Sequence, residues 1–376
     1  MAYQNVGTPR FYIDTYQYLK STGFDFQAYI DETADLNESS EYIWTPLDYP
    51  EIFTLNPQIA TKLNFENSGT KVFYLPLILN SRNIDLTGNL KRYCAILNHN
   101  LDEAKLGEGA FIKQGFNSHL GISYANDTMN TEILNYEKPI ENSGCTILHF
   151  DVNPTIEDRF NMIALSDLYN TNSDGTEFIN TIGAISVGFM YDMPVSPDLD
   201  LSMTIEFDGY DTTTTLGGST LTNVRYTGAP WWRDSENNKI EPWSVGESNG
   251  VSKRNGRRVW SMKFSYLSDK DIFSSNYMSN TYLESGSGSG YDTDDDLVLD
   301  SNDNPIAFEN TLENDDSFVA QVLNKVGNGQ RFIFQPDNTN NNPDQFAICQ
   351  LDQDSLQIKQ VAFNTYSISL NIREVW

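Results

Sequence analysis

Positive charge is scarce in this chain: 24 Lys and Arg stand against 52 Asp and Glu, a formal net charge of −28 at pH 7 over 376 residues. So acidic a surface repels phosphate backbones and anionic lipid headgroups, which excludes nucleic acid and an anionic membrane as expected partners. Sulfur and imidazole are scarce as well. There are three cysteines, Cys94, Cys145 and Cys349, and three histidines, His99, His119 and His149. The odd count, the wide spacing and the lack of a Cys-x-x-Cys pair argue against a disulfide framework and a zinc knuckle. All three cysteines sit in apolar runs, so buried thiols and folding in a reducing cytoplasm are expected. No apolar stretch reaches the roughly 20 residues that cross a bilayer. Met1-Ala2-Tyr3-Gln4-Asn5 has neither the basic nor the apolar region of a signal peptide. The expectation is a chain neither inserted in a membrane nor sent through the secretory route.

Chemical motifs are equally sparse. Gly217-Gly218 and the Gly-Ser run at 285–290 lack the strand–turn–helix setting and the Lys that cradle a phosphate. The same run fits a Gly-x-Ser-x-Gly elbow by composition only and reads as linker. His149 lies between apolar neighbours, as a satisfied sheet histidine does, and His99 sits in a turn at Leu97–Leu101 without further ligands at metal-binding spacing. Asp292, Asp294, Asp295 and Asp296 lack the glycine at position six and the glutamate at position twelve of a calcium loop. With 52 acids, any chosen pair is uninformative about glycoside hydrolysis. The expectation is a protein that is not an enzyme and binds no metal or cofactor.

What is abundant is strand signal. Trp260, Met262, Phe264 and Tyr266 alternate with polar residues over 259–267, as do Tyr366, Ile368, Leu370 and Ile372 over 366–373. Leu201, Met203, Ile205 and Phe207 do the same over 201–207. Period-2 alternation predicts sheets with one buried face. Shorter apolar runs at 72–79, 93–97, 145–150, 160–165, 182–189, 332–334 and 346–351 predict more deeply buried strands, separated by Gly, Asn, Asp and Pro clusters. One helix is predicted near 315–326. Asp315 or Asp316 would cap it, Phe318, Val322 and Val326 would form its stripe with Val319 and Leu323, and Gly327 would end it. The segment Asp14–Lys20 is open between helix and strand, because its aromatics also alternate. The fold class is therefore all-β. Residues 1–60 read as an N-terminal arm with loops, 61–200 as a β-sandwich of short strands, and 201–376 as a second unit. That unit carries long inserted loops at 227–256 and 268–310. Loops of such length, including 30–48 and 283–305, are expected to reach partners.

Two clusters are candidates for an interface. Trp231, Trp232 and Arg233 combine the residue types that anchor protein contacts; with Tyr226, the same tryptophans could stack on a sugar. Lys253, Arg254, Arg257 and Arg258 form a basic island in an acidic chain, suited to an acidic neighbour such as a second copy. Trp376, at the end of the last strand, completes the set.

The C-terminal half resembles the distal-tail and lambda-type minor tail proteins of tailed bacteriophages. The resemblance rests on an order of features: the strand Arg257 to Tyr266, the helix at 315–326, and the turn Gly327-Asn328-Gly329-Gln330 leading into Arg331 to Pro336. The strands Phe346–Cys349 and Tyr366–Trp376 complete it. The stretch 93–200 is similar to the jelly-roll modules attached to such proteins, through Cys94–Leu101, Ile182–Gly188 and Asp192-Met193-Pro194. The resemblance implies a jelly-roll β-sandwich followed by a split β-barrel with one helix, assembled as a ring, most often a hexamer. The ring would lie in the virion tail and be built in the host cytoplasm. Its implied partners are further copies of itself and other tail proteins. A carbohydrate-binding adhesin on the same virion, taking a host-surface glycan as partner, is the second reading. A polysaccharide depolymerase is the third.

Overall fold

A computed structural model describes residues 7–28, 43–44, 46–63, 71–76, 90–100, 111–117, 134–139, 144–150, 160–166, 180–207, 210–224, 229–233, 239–240, 242–244, 256–273, 317–327 and 329–376. In chain order the strands are β1 (Arg10–Asp14), β2 (Ile43–Trp44), β3 (Thr61–Leu63), β4 (Lys71–Pro76), β5 (Leu90–His99), β6 (Phe111–Asn117) and β7 (Leu134–Pro139). They continue as β8 (Cys145–Phe150), β9 (Phe160–Ser166), β10 (Asn180–Asp192), β11 (Ser202–Glu206), β12 (Tyr210–Thr214) and β13 (Thr220–Val224). The last are β14 (Trp232–Arg233), β15 (Lys239–Ile240), β16 (Arg257–Leu267), β17 (Phe332–Gln335), β18 (Ala347–Leu351), β19 (Lys359–Ala362) and β20 (Thr365–Glu374). The protein is all-β with few helices, as its composition implies.

Eleven strands form one sheet. Its path runs β11-β16-β20-β18-β17-β1-β10-β5-β8, with β19 added on β20 and β3 on β10. A second sheet orders β2-β4-β9-β6-β7, and β12-β13 and β14-β15 are separate ribbons. Every pairing in the large sheet is antiparallel.

Strand β1 lies in the interior of the large sheet, beside the central β17. This corrects the expectation of an arm over residues 1–60. Arg10 to Asp14 pair with Asp192 to Gly188 of β10 on one side, and Arg10 to Tyr12 pair with Gln335 to Ile333 of β17 on the other. All five residues are buried. Phe11 and Ile13 enter one core, with Phe189, Tyr191, Trp260, Phe264 and Phe332. Tyr12 enters the other, with Tyr93, Leu97, Met190, Ile333 and Phe346. A strand packed on both faces has no polar face to alternate with, which explains why periodicity did not reveal it. Arg10 ends the strand with a forked contact to Asp192, Nε to Oδ1 at 2.5 Å and Nη2 to Oδ2 at 2.8 Å. At the other end, Gly188 lies so close that a Cβ there would sit 2.0 Å from the Ile13 carbonyl oxygen.

Asp14 resolves the open reading of the next segment in favour of helix. Its Oδ1 accepts the Gln17 amide at 2.9 Å and caps α1 (Thr15–Ser21). Its Oδ2 accepts the Ser186 hydroxyl at 2.8 Å, and that hydroxyl lies 2.8 Å from the Tyr93 hydroxyl. The carboxyl is enclosed, and loss of water pushes its pKa up from 3.8 to about 7.

The C-terminal helix is a π-turn, Val319–Leu323, that runs into α2 (Asn324–Val326). Phe318, Val319, Val322 and Val326 pack on the sheet as their spacing predicts. Gln321 and Lys325 are buried too, and the Lys325 ammonium donates to Gln321 Oε1 and lies 5.0 Å from the Phe189 ring centroid. The wider turn brings these polar positions inside while Leu323 stays partly exposed. Asp315 and Asp316 lie outside the described residues. Ser317 Oγ accepts the Ala320 amide at 3.3 Å, and the Ser317 carbonyl accepts the Gln321 amide at 2.9 Å. Ser317→Ala is expected to cost about 1 kcal/mol in urea-induced unfolding; an unchanged midpoint would show that the hydroxyl does not hold this helix start.

Candidate assembly surface

The residues singled out in the sequence divide between interior and surface. Arg258 belongs to the interior. It lies on β16, where alternate residues Arg258, Trp260, Met262 and Phe264 point inward. Its guanidinium donates to Glu374 (Nη2 to Oε1 at 3.1 Å, Nε to Oε2 at 3.2 Å) and to the carbonyls of Asp344 and Phe346 at 2.7 Å each. The two side chains are only 9 % and 4 % exposed. This corrects the expectation that Arg258 meets an acidic neighbour, because its charge is already matched within the chain. Arg257, next to it, points the other way, with its guanidinium 4.8 Å from the Trp376 ring centroid. Arg373 Nη2 reaches Glu206 Oε2 at 2.7 Å on the same margin of the sheet.

Trp232 is also interior. It is 4 % exposed and its ring meets Trp243 at 5.5 Å; Trp243 in turn stacks on Phe346 at 5.8 Å. Trp243 takes a positive φ of 61°, a strained conformation that this packing holds in place. The cavity that these two rings share with Trp376 and Pro230 has about 30 Å³ of free space. That volume suits about one water and excludes a sugar ring, which corrects the reading of Trp232 as an exposed anchor or sugar platform. Trp231 is half-buried beside it. Arg233 pairs through its backbone with Lys239. Tyr226, Lys253 and Arg254 lie outside the described residues, as do His119 and the acidic run at 292–296.

The other reactive side chains are built into the fold. His99 is buried, and its Nε2 lies 2.8 Å from Thr146 Oγ1. Enclosure pushes its pKa down from 6.5 to about 3, so the ring is neutral. His149 Nε2 lies 2.9 Å from the Tyr12 hydroxyl, which donates to Gln335 Oε1 at 2.8 Å. Cys94 and Cys349 are buried and Cys145 is half-buried; all three are free thiols. Burial pushes the Cys94 thiol well above its ordinary range. Among the described residues no three His, Cys, Asp or Glu side chains gather as a metal site.

The surface carries what these interior groups do not. Strand β11 closes one end of the large sheet, and no described strand pairs with its outer edge. Its alternation predicts one buried face, yet Met203 is 52 %, Ile205 39 % and the following Phe207 63 % exposed. Register explains the difference. Met203 sits opposite Trp260 and Ile205 opposite Arg258, so their row continues the inward face beyond the margin of the core. The ribbon β12-β13 follows directly. Residues 211–223 are exposed apart from half-buried Thr215, and Leu216 at the tip is fully exposed. Its turn is closed by Thr215 N to the Ser219 carbonyl at 2.8 Å and by Gly218 N to the Thr215 carbonyl at 2.9 Å, with Gly218 at φ 80°. On the same half of the sheet, Tyr266, Val361 and Phe363 are exposed as well.

No protein-family model, curated protein or solved structure matches this chain.

Proposed function

We propose that this chain is a non-catalytic structural subunit of a tailed-phage virion. It would form a ring at the tail tip or baseplate hub, between the tail tube and the host-recognition apparatus. The observation that carries the reading is the C-terminal sheet. The strands 257–267, 332–335, 347–351 and 365–374 join one sheet, the longest helical segment among the described C-terminal residues is that at 318–326, with short turns at 269–272 and 343–345, and the sheet ends in an apolar edge with which no described strand pairs. This is the order of features by which the sequence resembles the distal-tail and minor tail proteins. An open strand edge with an apolar row is also what a ring subunit offers its neighbour. The partners in this reading are further copies of the chain, six closing the ring, and other tail proteins. The expected boundary near residue 200 does not separate an outward docking module, because β5, β8 and β10 continue the same sheet through β1 into β17 and share a core with Ile333 and Phe346. A glycan-binding adhesin draws less support, since Trp232 and Trp243 face inward.

The test is the solution mass of the purified protein together with negative-stain images of the same sample. Closed rings of six are expected. A particle that is monomeric at every concentration and shows no rings would overturn the reading.

A further inference from the structure

Two unprotected features adjoin on this molecule. The first is the outer edge of β11. Sheet edges are normally blunted by Lys, Pro, bulges or inward charges, because bare backbone N–H and C=O groups recruit other strands. Residues Ser202 to Ile205 carry no charge and no proline. The second is the β12-β13 hairpin. A two-stranded ribbon standing in water is marginally stable. Here residues 212–224 contain no Asp, Glu, Lys, Arg or Pro, so the ribbon's edges have no such protection.

We propose that the β12-β13 hairpin of one copy adds to the β11 edge of the next, with which no described strand pairs, so that a second copy of this chain is the occupant of that edge. The inference deepens the ring reading and rests on it. Electrostatics selects the partner. Two copies, each with a net charge of −28, repel over most of their surfaces. Contact is tolerated where both sides are uncharged, and residues 212–224 of the hairpin and 202–205 of the β11 edge are two such segments, with Glu206 and Asp211 between them. Strand lengths agree: β11, β12 and β13 each have five residues. The apolar groups agree too, with Leu221 (61 % exposed) on the hairpin and Met203 and Ile205 on the edge row. Donor and acceptor are different surfaces, so the contact is head-to-tail, and head-to-tail contacts close into rings when the rotation permits.

The test uses the full chain and two substitutions at exposed positions, Met203→Glu on the edge and Leu221→Glu on the hairpin. Each variant should melt as the parent does, and each alone should associate about tenfold or more weakly, since the new carboxylate would be buried without a partner in an uncharged contact. Mixed in equal amounts, they should give heterodimers and nothing larger, because the first retains a sound hairpin and the second a sound edge. Light scattering on a sizing column reads all three results. Rings that form equally well in both variants would overturn this inference and leave the ring reading intact. Two monomeric variants that fail to pair on mixing would overturn it as well. Open chains sensitive to both substitutions would support it and remove the ring reading instead.

Discussion

Arg258→Ala is expected to cost the fold about 3–5 kcal/mol, seen as a lower denaturant midpoint at an unchanged slope. The size of the effect comes from what remains. Glu374 is 3 % exposed, and without the guanidinium it keeps only the Arg258 backbone amide at 3.0 Å as a partner from residue 258. The carbonyls of Asp344 and Phe346 lose a donor at the same time. A buried charge stripped of its partner is far more costly than the intact pair is beneficial. The double replacement Arg258→Met with Glu374→Met should therefore recover much of the loss. Arg258→Lys should fall between the two, because a point charge cannot fork to one carboxylate and two carbonyls together. If Arg258→Ala shifted stability by less than about 1 kcal/mol, the pair would be peripheral and its burial of no energetic consequence.

The second large effect concerns pH and two buried groups that oppose each other. Burial pushes the Asp14 pKa up to about 7 in the fold, against the ordinary 3.8 of a solvated carboxyl in the unfolded chain. Between those values the native state holds a proton that the unfolded chain has lost, so stability falls as pH rises, by about 1.4 kcal/mol per pH unit at most. His99 titrates near 3 in the fold and near 6.5 when unfolded, again through burial. Between those values the unfolded chain takes up a proton that the native ring refuses, so stability falls as pH drops, with the same limiting slope. Across the shared window the two slopes cancel. Asp14→Asn should expose the histidine: relative to the parent, the variant loses up to about 3 kcal/mol more on going from pH 6.5 to pH 4. His99→Gln should tilt the profile the opposite way. Unfolding free energies measured through that range decide the matter, and profiles parallel to the parent's would mean that neither group is as enclosed as the fold implies.

The sequence yielded most where a strand has one wet face. The alternation at 259–267 and at 366–373 became β16 and β20, paired Trp260 to Ile372 and Phe264 to Ile368. The spacing of Phe318, Val322 and Val326 located the helical segment and the face it buries. Legibility failed where neighbours distant in sequence decide the outcome. Residues 10–14 are too short and too apolar to show a period, and only pairing on both edges makes them interior. Trp232 read as a surface anchor because tryptophan is common at interfaces, and Arg258 because it belongs to a basic island in an acidic chain. Their partners, Trp243 with Phe346 and Glu374 with two carbonyls, come from other strands and loops. The alternation at 201–207 is the instructive case. The period correctly gave a strand, but period alone does not tell a strand over a core from one that overhangs it.

The place of β1 sets a schedule for synthesis. Tyr12 and Gln335, joined by a hydrogen bond at the middle of the sheet, are 323 positions apart. At ordinary elongation rates, the ribosome needs roughly twenty seconds to a minute to make the intervening chain. Until then the Phe11-Tyr12-Ile13 segment has one strand flank without its partner and its aromatic core incomplete. The large sheet cannot mature vectorially from its first strand. It must wait for nearly the whole polypeptide, which gives a high contact order, slow final closure and a long interval in which a chaperone can hold the nascent chain.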